Sequence, residues 1–102
     1  MYSVIFTSTR TRHADELYAE WLEITSKLVQ EIPGFISSFS HRDPTTRKGV
    51  TVAYFETEES LLAWKELPRH LEAQSLGRSD FYQEYEVFVC KVERHYSWIK
   101  KE

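Results

Sequence analysis

Glycine, proline and cysteine are scarce in this chain of 102 residues: three glycines, three prolines and one cysteine. With so few of the first two, a collagen-like or low-complexity chain is excluded, and 41% hydrophobic with 28% charged residues excludes an intrinsically disordered one. The single cysteine, Cys90, has no partner within the chain, so a secreted scaffold stapled by internal disulfides is excluded and a reducing compartment fits. No run of ~18 consecutive apolar residues is present to span a bilayer. The start, Met1-Tyr2-Ser3-Val4-Ile5-Phe6-Thr7, lacks the basic region and long apolar core of a signal peptide, so the expected location is cytoplasmic, without a membrane partner. Positive charge is also short. Thirteen Lys and Arg against sixteen Asp and Glu leave a net charge of −3, the wrong sign for a phosphate backbone, so nucleic acid is not an expected partner. The length falls below the ~150 residues of a typical domain, which predicts one domain over 1–102 with no second core.

What the chain does have is aromatic side chains, at 15%: three Trp, six Tyr and six Phe, enough for a core and for the wall of a pocket. The β-branched and aromatic stretch Tyr2 to Ser8 predicts a first strand. Asp15 and Glu16 suit the first turn of a helix, and Leu17, Trp21, Ile24, Leu28 and Ile32 recur at intervals of four and three, predicting a long amphipathic helix that Pro33-Gly34 ends. Phe35 to His41 reads as a second strand, with Phe35, Ser37, Phe39 and His41 on one face. Arg42 to Gly49 has the composition of a hairpin loop, and Val50 to Phe55 pairs as the third strand. Thr57 is placed to cap a short second helix carrying Leu61, Leu62 and Trp64, interrupted at Pro68. Arg69 to Leu76 continues as helix up to Gly77, Ser79 to Tyr85 is expected to form another helical turn, Glu86 to Glu93 a fourth strand, and Arg94 to Glu102 a tail.

The order β-α-β-β-α-β, under the rule of short right-handed connections, predicts an α+β ferredoxin-like fold, an antiparallel sheet with helices on one face. Strands one, two and four carry apolar residues of both parities, so both sheet faces call for burial. Two helices cover only one. The simplest cover for the other is a second copy, so a homodimer with facing sheets is expected. The segment His95-Tyr96-Ser97-Trp98-Ile99 is too aromatic for a free end, and either packs across that interface or folds back on its own domain.

Familiar catalytic spacings are missing. His13, His41, His70 and His95 fall in separate elements without HExxH or CxxC spacing, so no metal site is expected. Neither a nucleophile elbow nor a phosphate loop is present. Cys90, inside an alternating apolar strand, is most simply a packed thiol. Lys48-Gly49 opening the third strand imitates an RNA-recognition motif, but Val50 and Val52 stand where stacking aromatics are needed. Trp64 is either a core side chain or a pocket wall, and His70, after the break at Pro68, either a half-exposed loop histidine or an imidazole turned into a cavity. Phe39, His41 and Tyr54 are either core aromatics or lining of that same cavity.

The run Gly49-Val50-Thr51-Val52-Ala53-Tyr54-Phe55-Glu56-Thr57-Glu58-Glu59-Ser60, followed by Ala63-Trp64-Lys65 and His70-Leu71-Glu72-Ala73-Gln74, with Pro33-Gly34-Phe35 before it, resembles antibiotic biosynthesis monooxygenase domains. The resemblance spans strand one to Glu93 and implies a dimeric α/β barrel with a cavity between helices and sheet in each subunit. It implies oxidation of a phenolic, quinol or polycyclic aromatic substrate by dioxygen without metal or flavin. Trp64 would then stack on the substrate or hold its developing oxyanion, and His70 would move the proton. Phe39, His41 and Tyr54 would line the substrate site. Haem-degrading relatives imply an alternative, a histidine-ligated haem beside a tryptophan and an asparagine. Strand one, however, has no Asn, and His70 stands only six residues after Trp64. A third alternative is a dimer that binds a hydrophobic metabolite without transforming it.

Overall fold

The structure, a computed structural model, describes residues 1–101, with Pro68 and Arg69 described in their backbone only. Four strands and three helices follow in the order β1 (Tyr2–Arg10), α1 (Asp15–Gln30), β2 (Phe35–Arg42), β3 (Lys48–Phe55), α2 (Glu58–Lys65), α3 (Pro68–Leu76) and β4 (Tyr82–Lys91), with a single π-helical turn, Gly77–Phe81, before β4. The strands form one antiparallel sheet in the order β2-β3-β1-β4. This is the ferredoxin-like α+β arrangement.

β1 and β3 pair in continuous register, Val4 opposite Ala53 and Tyr2 opposite Phe55, which puts Val4, Ala53 and Phe55 on one face. That face meets the helices. Val4, Ala53 and Phe55 join Val29 of α1 and Leu61 of α2 in the buried core, with Phe35 and Trp64 packed against it. Phe55, with 0% of its surface exposed, is its centre and sits edge-on to Phe35 at 5.7 Å. Two local devices hold α2 over this core. Thr57 accepts the Ser60 amide and Ser60 Oγ accepts the Thr57 amide, a reciprocal cap. The β2 entry turns at Gly34, whose φ of 93° only glycine adopts freely, and a Cβ there would lie 2.8 Å from Ser60.

Several boundaries differ from expectation, each for a visible reason. β1 runs past Ser8 to Arg10, because Thr9 pairs with Lys48 and Arg10 with Tyr82. The helical turn expected at Ser79–Tyr85 ends at Phe81. Tyr82 to Tyr85 already pair with β1 through a register shift at Thr9/Arg10, so the fourth strand is Tyr82–Lys91 rather than Glu86–Glu93. Gly77 does not stop the chain's helical course: it keeps right-handed angles and leads into the π turn. Pro68 opens α3 at its first turn, where its missing N–H costs nothing. On α1 Val29 is buried and Trp21, Ile24 and Leu28 of the expected Leu17-Trp21-Ile24-Leu28-Ile32 stripe are half-buried, as is Ile32 just beyond the helix, while Leu17 at its start is exposed.

The other sheet face has no helix over it. Ile5, Val52, Phe39 and Phe88 share it by register, and Phe39 and Phe88 are largely exposed. Cys90, expected as a packed thiol, is half-buried on this face opposite Ser3. Beyond the bond from the Val92 amide to the Met1 carbonyl, the tail does not fold back on its own domain: Tyr96, Trp98 and Ile99 are 84, 80 and 86% exposed.

Candidate active site

Two clusters of functional side chains lie on the helix-covered face, at opposite ends of β3. The first is built by the break between α2 and α3. Trp64 comes from the last turn of α2 and His70 from the first turn of α3. The corner at Leu67, fixed in extended angles ahead of Pro68, folds the second ring back on the first. Their centroids are 4.2 Å apart at 47°, and Trp64 lies 5.5 Å from Phe55. Trp64 Nε1 and His70 Nδ1 are both buried without a hydrogen-bond partner. Buried ring nitrogens are nearly always paired, so two orphans side by side are unusual. Burial above all, and then the charge of Lys65, hold the His70 pKa below the ordinary imidazole value, so His70 is neutral at pH 7.

The second cluster gathers about Phe81 and Tyr18, near the Gly49 end of β3. Arg10, 2% exposed, donates to the Phe81 carbonyl at 2.6 Å and to Asp15 Oδ1 at 2.5 Å, and lies 4.1 Å from the centre of the Tyr18 ring. Arg47 bonds the same Asp15 oxygen at 2.6 Å. Arg42 donates to Ser8 Oγ at 2.8 Å, to the Arg47 carbonyl at 2.8 Å and to the Tyr18 hydroxyl at 3.3 Å. Burial first, and the nearby Tyr18 next, push the Tyr82 phenol well above its usual range, so it stays protonated. A cleft of about 190 Å³ opens here between α1 and the β2–β3 ladder, bordered by Tyr18, Leu22, Ser40, His41, Arg42, Val50 and Thr51.

Of the five residues singled out from sequence, Trp64 and His70 come together, while Phe39, His41 and Tyr54 do not join them. Phe39 pairs with Val52 and His41 with Val50, and Tyr54 precedes Phe55, so alternation turns all three from the Trp64 face. The expectation of one shared cavity is therefore corrected. His41 alone of the three borders the α1 cleft. The arginine cluster was missed because Arg10, Arg42 and Arg47 sit in polar stretches that look like solvated surface. Its one sequence signal was Arg10 two places beyond Ser8, in phase with Val4 and Phe6. Among the described residues no group of three His, Cys, Asp or Glu side chains is placed to hold a metal.

The model of the antibiotic biosynthesis monooxygenase family fits residues 1–76 of this chain. The chain belongs to this family. An uncharacterised protein, YqjZ of Bacillus subtilis (strain 168), is 36% identical over 93 residues, covering 91% of this chain and 80% of that protein. Among solved structures, Rv0793 from Mycobacterium tuberculosis superposes with a TM-score of 0.81 at 14% identity, covering 94% of this chain and 98% of that one. SnoaB, a cofactor-independent oxygenase from Streptomyces nogalater, does so with a TM-score of 0.75 at 14% identity, covering 92 and 94%. These structural likenesses show the fold of the family. The family's name points to a monooxygenase.

Proposed function

We propose that this protein is a cofactor-independent monooxygenase acting on a small phenolic or quinol substrate at the Trp64–His70 pair. One observation carries this: two buried polar ring atoms, Trp64 Nε1 and His70 Nδ1, stand side by side with no partner in the protein. Neutral His70 accepts the phenolic proton, and the Trp64 N–H donates to the oxyanion that forms. The electron-rich anion reduces dioxygen directly. A ring C–H becomes C–OOH, and loss of one water from that peroxide leaves the quinone carbonyl, so both oxygen atoms are accounted for without a further reductant. The aromatic wall of Phe35 and Phe55 keeps water from the anion.

A haem reading has less support. Strand β1 lacks an asparagine, and the His70 imidazole is pressed on the indole at 4.2 Å. The working unit we propose is a homodimer, joined through the bare sheet face, with the aromatic tail lying across the partner. Oxygen uptake with hydroquinones and polycyclic phenols tests the activity. Trp64→Phe, which keeps the ring and deletes the donor, is expected to lower turnover about 10²-fold. His70→Ala is expected to lower it by about 10² or more. Wild-type rates in both variants would remove the proposed roles.

A further inference from the structure

We propose that the cleft between α1 and the β2–β3 ladder is a binding site for the acidic group of a small aromatic acid, with Arg42 as its anion receptor. It goes beyond the reading above: the cleft lies at the opposite end of β3 from the Trp64–His70 pair, so it is a second site and does not rest on the oxygenase reading. The cleft, about 190 Å³, is of the size that accepts a substituted aromatic ring, and Leu22 and the Tyr18 ring give it apolar walls.

Charge makes the site selective. Arg10 and Arg47 share one carboxylate, Asp15, and Arg42 is tied to this pair through the Arg47 carbonyl. Among the described residues no carboxylate lies within ion-pair distance of Arg42. On a chain of net charge −3, this is a local surplus of positive charge in a half-buried place. Arg42 is also fixed in advance. Its two terminal nitrogens are spent on Ser8, Tyr18 and the Arg47 carbonyl, while its Nε–H meets no acceptor among the described residues. A preorganised guanidinium with one free donor at the edge of an apolar cleft recognises an anionic oxygen at low entropic cost. A neutral ligand in the same cleft would leave that charge unanswered.

The test uses two probes of one shape, 2-naphthoate and 2-naphthylmethanol, titrated calorimetrically into the whole protein under anaerobic conditions at low salt. The naphthoate is expected to bind about tenfold or more tightly than the alcohol, as one charge-assisted hydrogen bond predicts. Arg42→Gln should bring the two within about twofold, and Arg42→Lys should keep part of the preference. Because Arg42 also bonds the hairpin, Arg42→Gln may not be used unless its circular dichroism matches wild type. Leu22→Glu, on the exposed lip of the cleft, then decides alone, since the added negative charge should abolish the preference. Equal affinities in the wild type, or a preference untouched by a folded Arg42→Gln or by Leu22→Glu, would overturn the proposal. Selective naphthoate binding without oxygen uptake on any phenol would sink the oxygenase reading and leave this site standing. Uptake with no acid preference would do the reverse.

Discussion

At the scale of single residues, the Trp64–His70 contact depends on protonation. The folded pKa of His70 lies below its unfolded value of 6.5, so between the two the unfolded chain binds the extra proton. Stability is therefore full above about pH 6.5 and falls as pH drops through the folded pKa. Activity should follow the same direction, rising from pH 5 to a plateau near 7 with its midpoint below 6.5. A rate profile that is flat over this range, or His70→Gln retaining the wild-type curve, would remove His70 from proton transfer. Asp15 runs the same way at lower pH. Its hydrogen bond from Arg47 first, and the charges of both arginines, hold its carboxyl below 3.8, so the tie between β1, α1 and the hairpin persists above that value and is lost as pH falls through the folded pKa. Acid unfolding followed by fluorescence should shift to higher pH in Asp15→Asn. Legibility differs sharply between these two places. Trp64 and His70 could be found from sequence because a proline break between two helical segments returns the chain on itself. The arginines could not, since Arg10 and Arg42 meet Tyr18 only through sheet register, which no local pattern encodes.

Among the elements, α2 is the one whose position matters most, for it carries Trp64 and closes the core. Its cap is worth about 1 kcal/mol, so Thr57→Ala should lower urea stability by that amount. Phe55→Ala removes the most buried side chain, at a cost of about 3–5 kcal/mol. Denaturant midpoints that move by less than about 1 kcal/mol in Phe55→Ala would place the core elsewhere. Strand alternation and the Thr57 cap made β1, β2, β3 and α2 readable from the chain. The start of β4 was not, because the aromatic run around Phe81 and Tyr82 suits helix and strand alike. A one-residue slip against β1, visible only once the sheet is assembled, decides between them. The face assignment of Phe39 and Tyr54 failed for a related reason: a register shift between Phe35 and Ser37 sends Phe35 to the helices and leaves Ser37, Phe39 and His41 on the bare face, correcting the expectation that all four share one face, and which parity of β3 faces the helices depends on packing.

For the whole molecule, the uncovered sheet face sets the expected assembly. Phe88 stands opposite Ile5 near its middle and is 47% exposed, so Phe88→Glu should convert a dimer to monomer in light scattering if this face is the interface. An unchanged mass would move the contact elsewhere. Removing residues 95–102 should weaken the dimer without unfolding the domain, because among the described residues the tail adds nothing to its own core. Finally, α1 spans sixteen residues yet has one buried residue, Val29, whereas β1 is hydrogen-bonded on both sides. Amide hydrogens should therefore exchange early along α1 and last along β1. The wall of the arginine cleft should then open more readily than its floor, so ligands can enter and leave without unfolding of the sheet that holds Arg42.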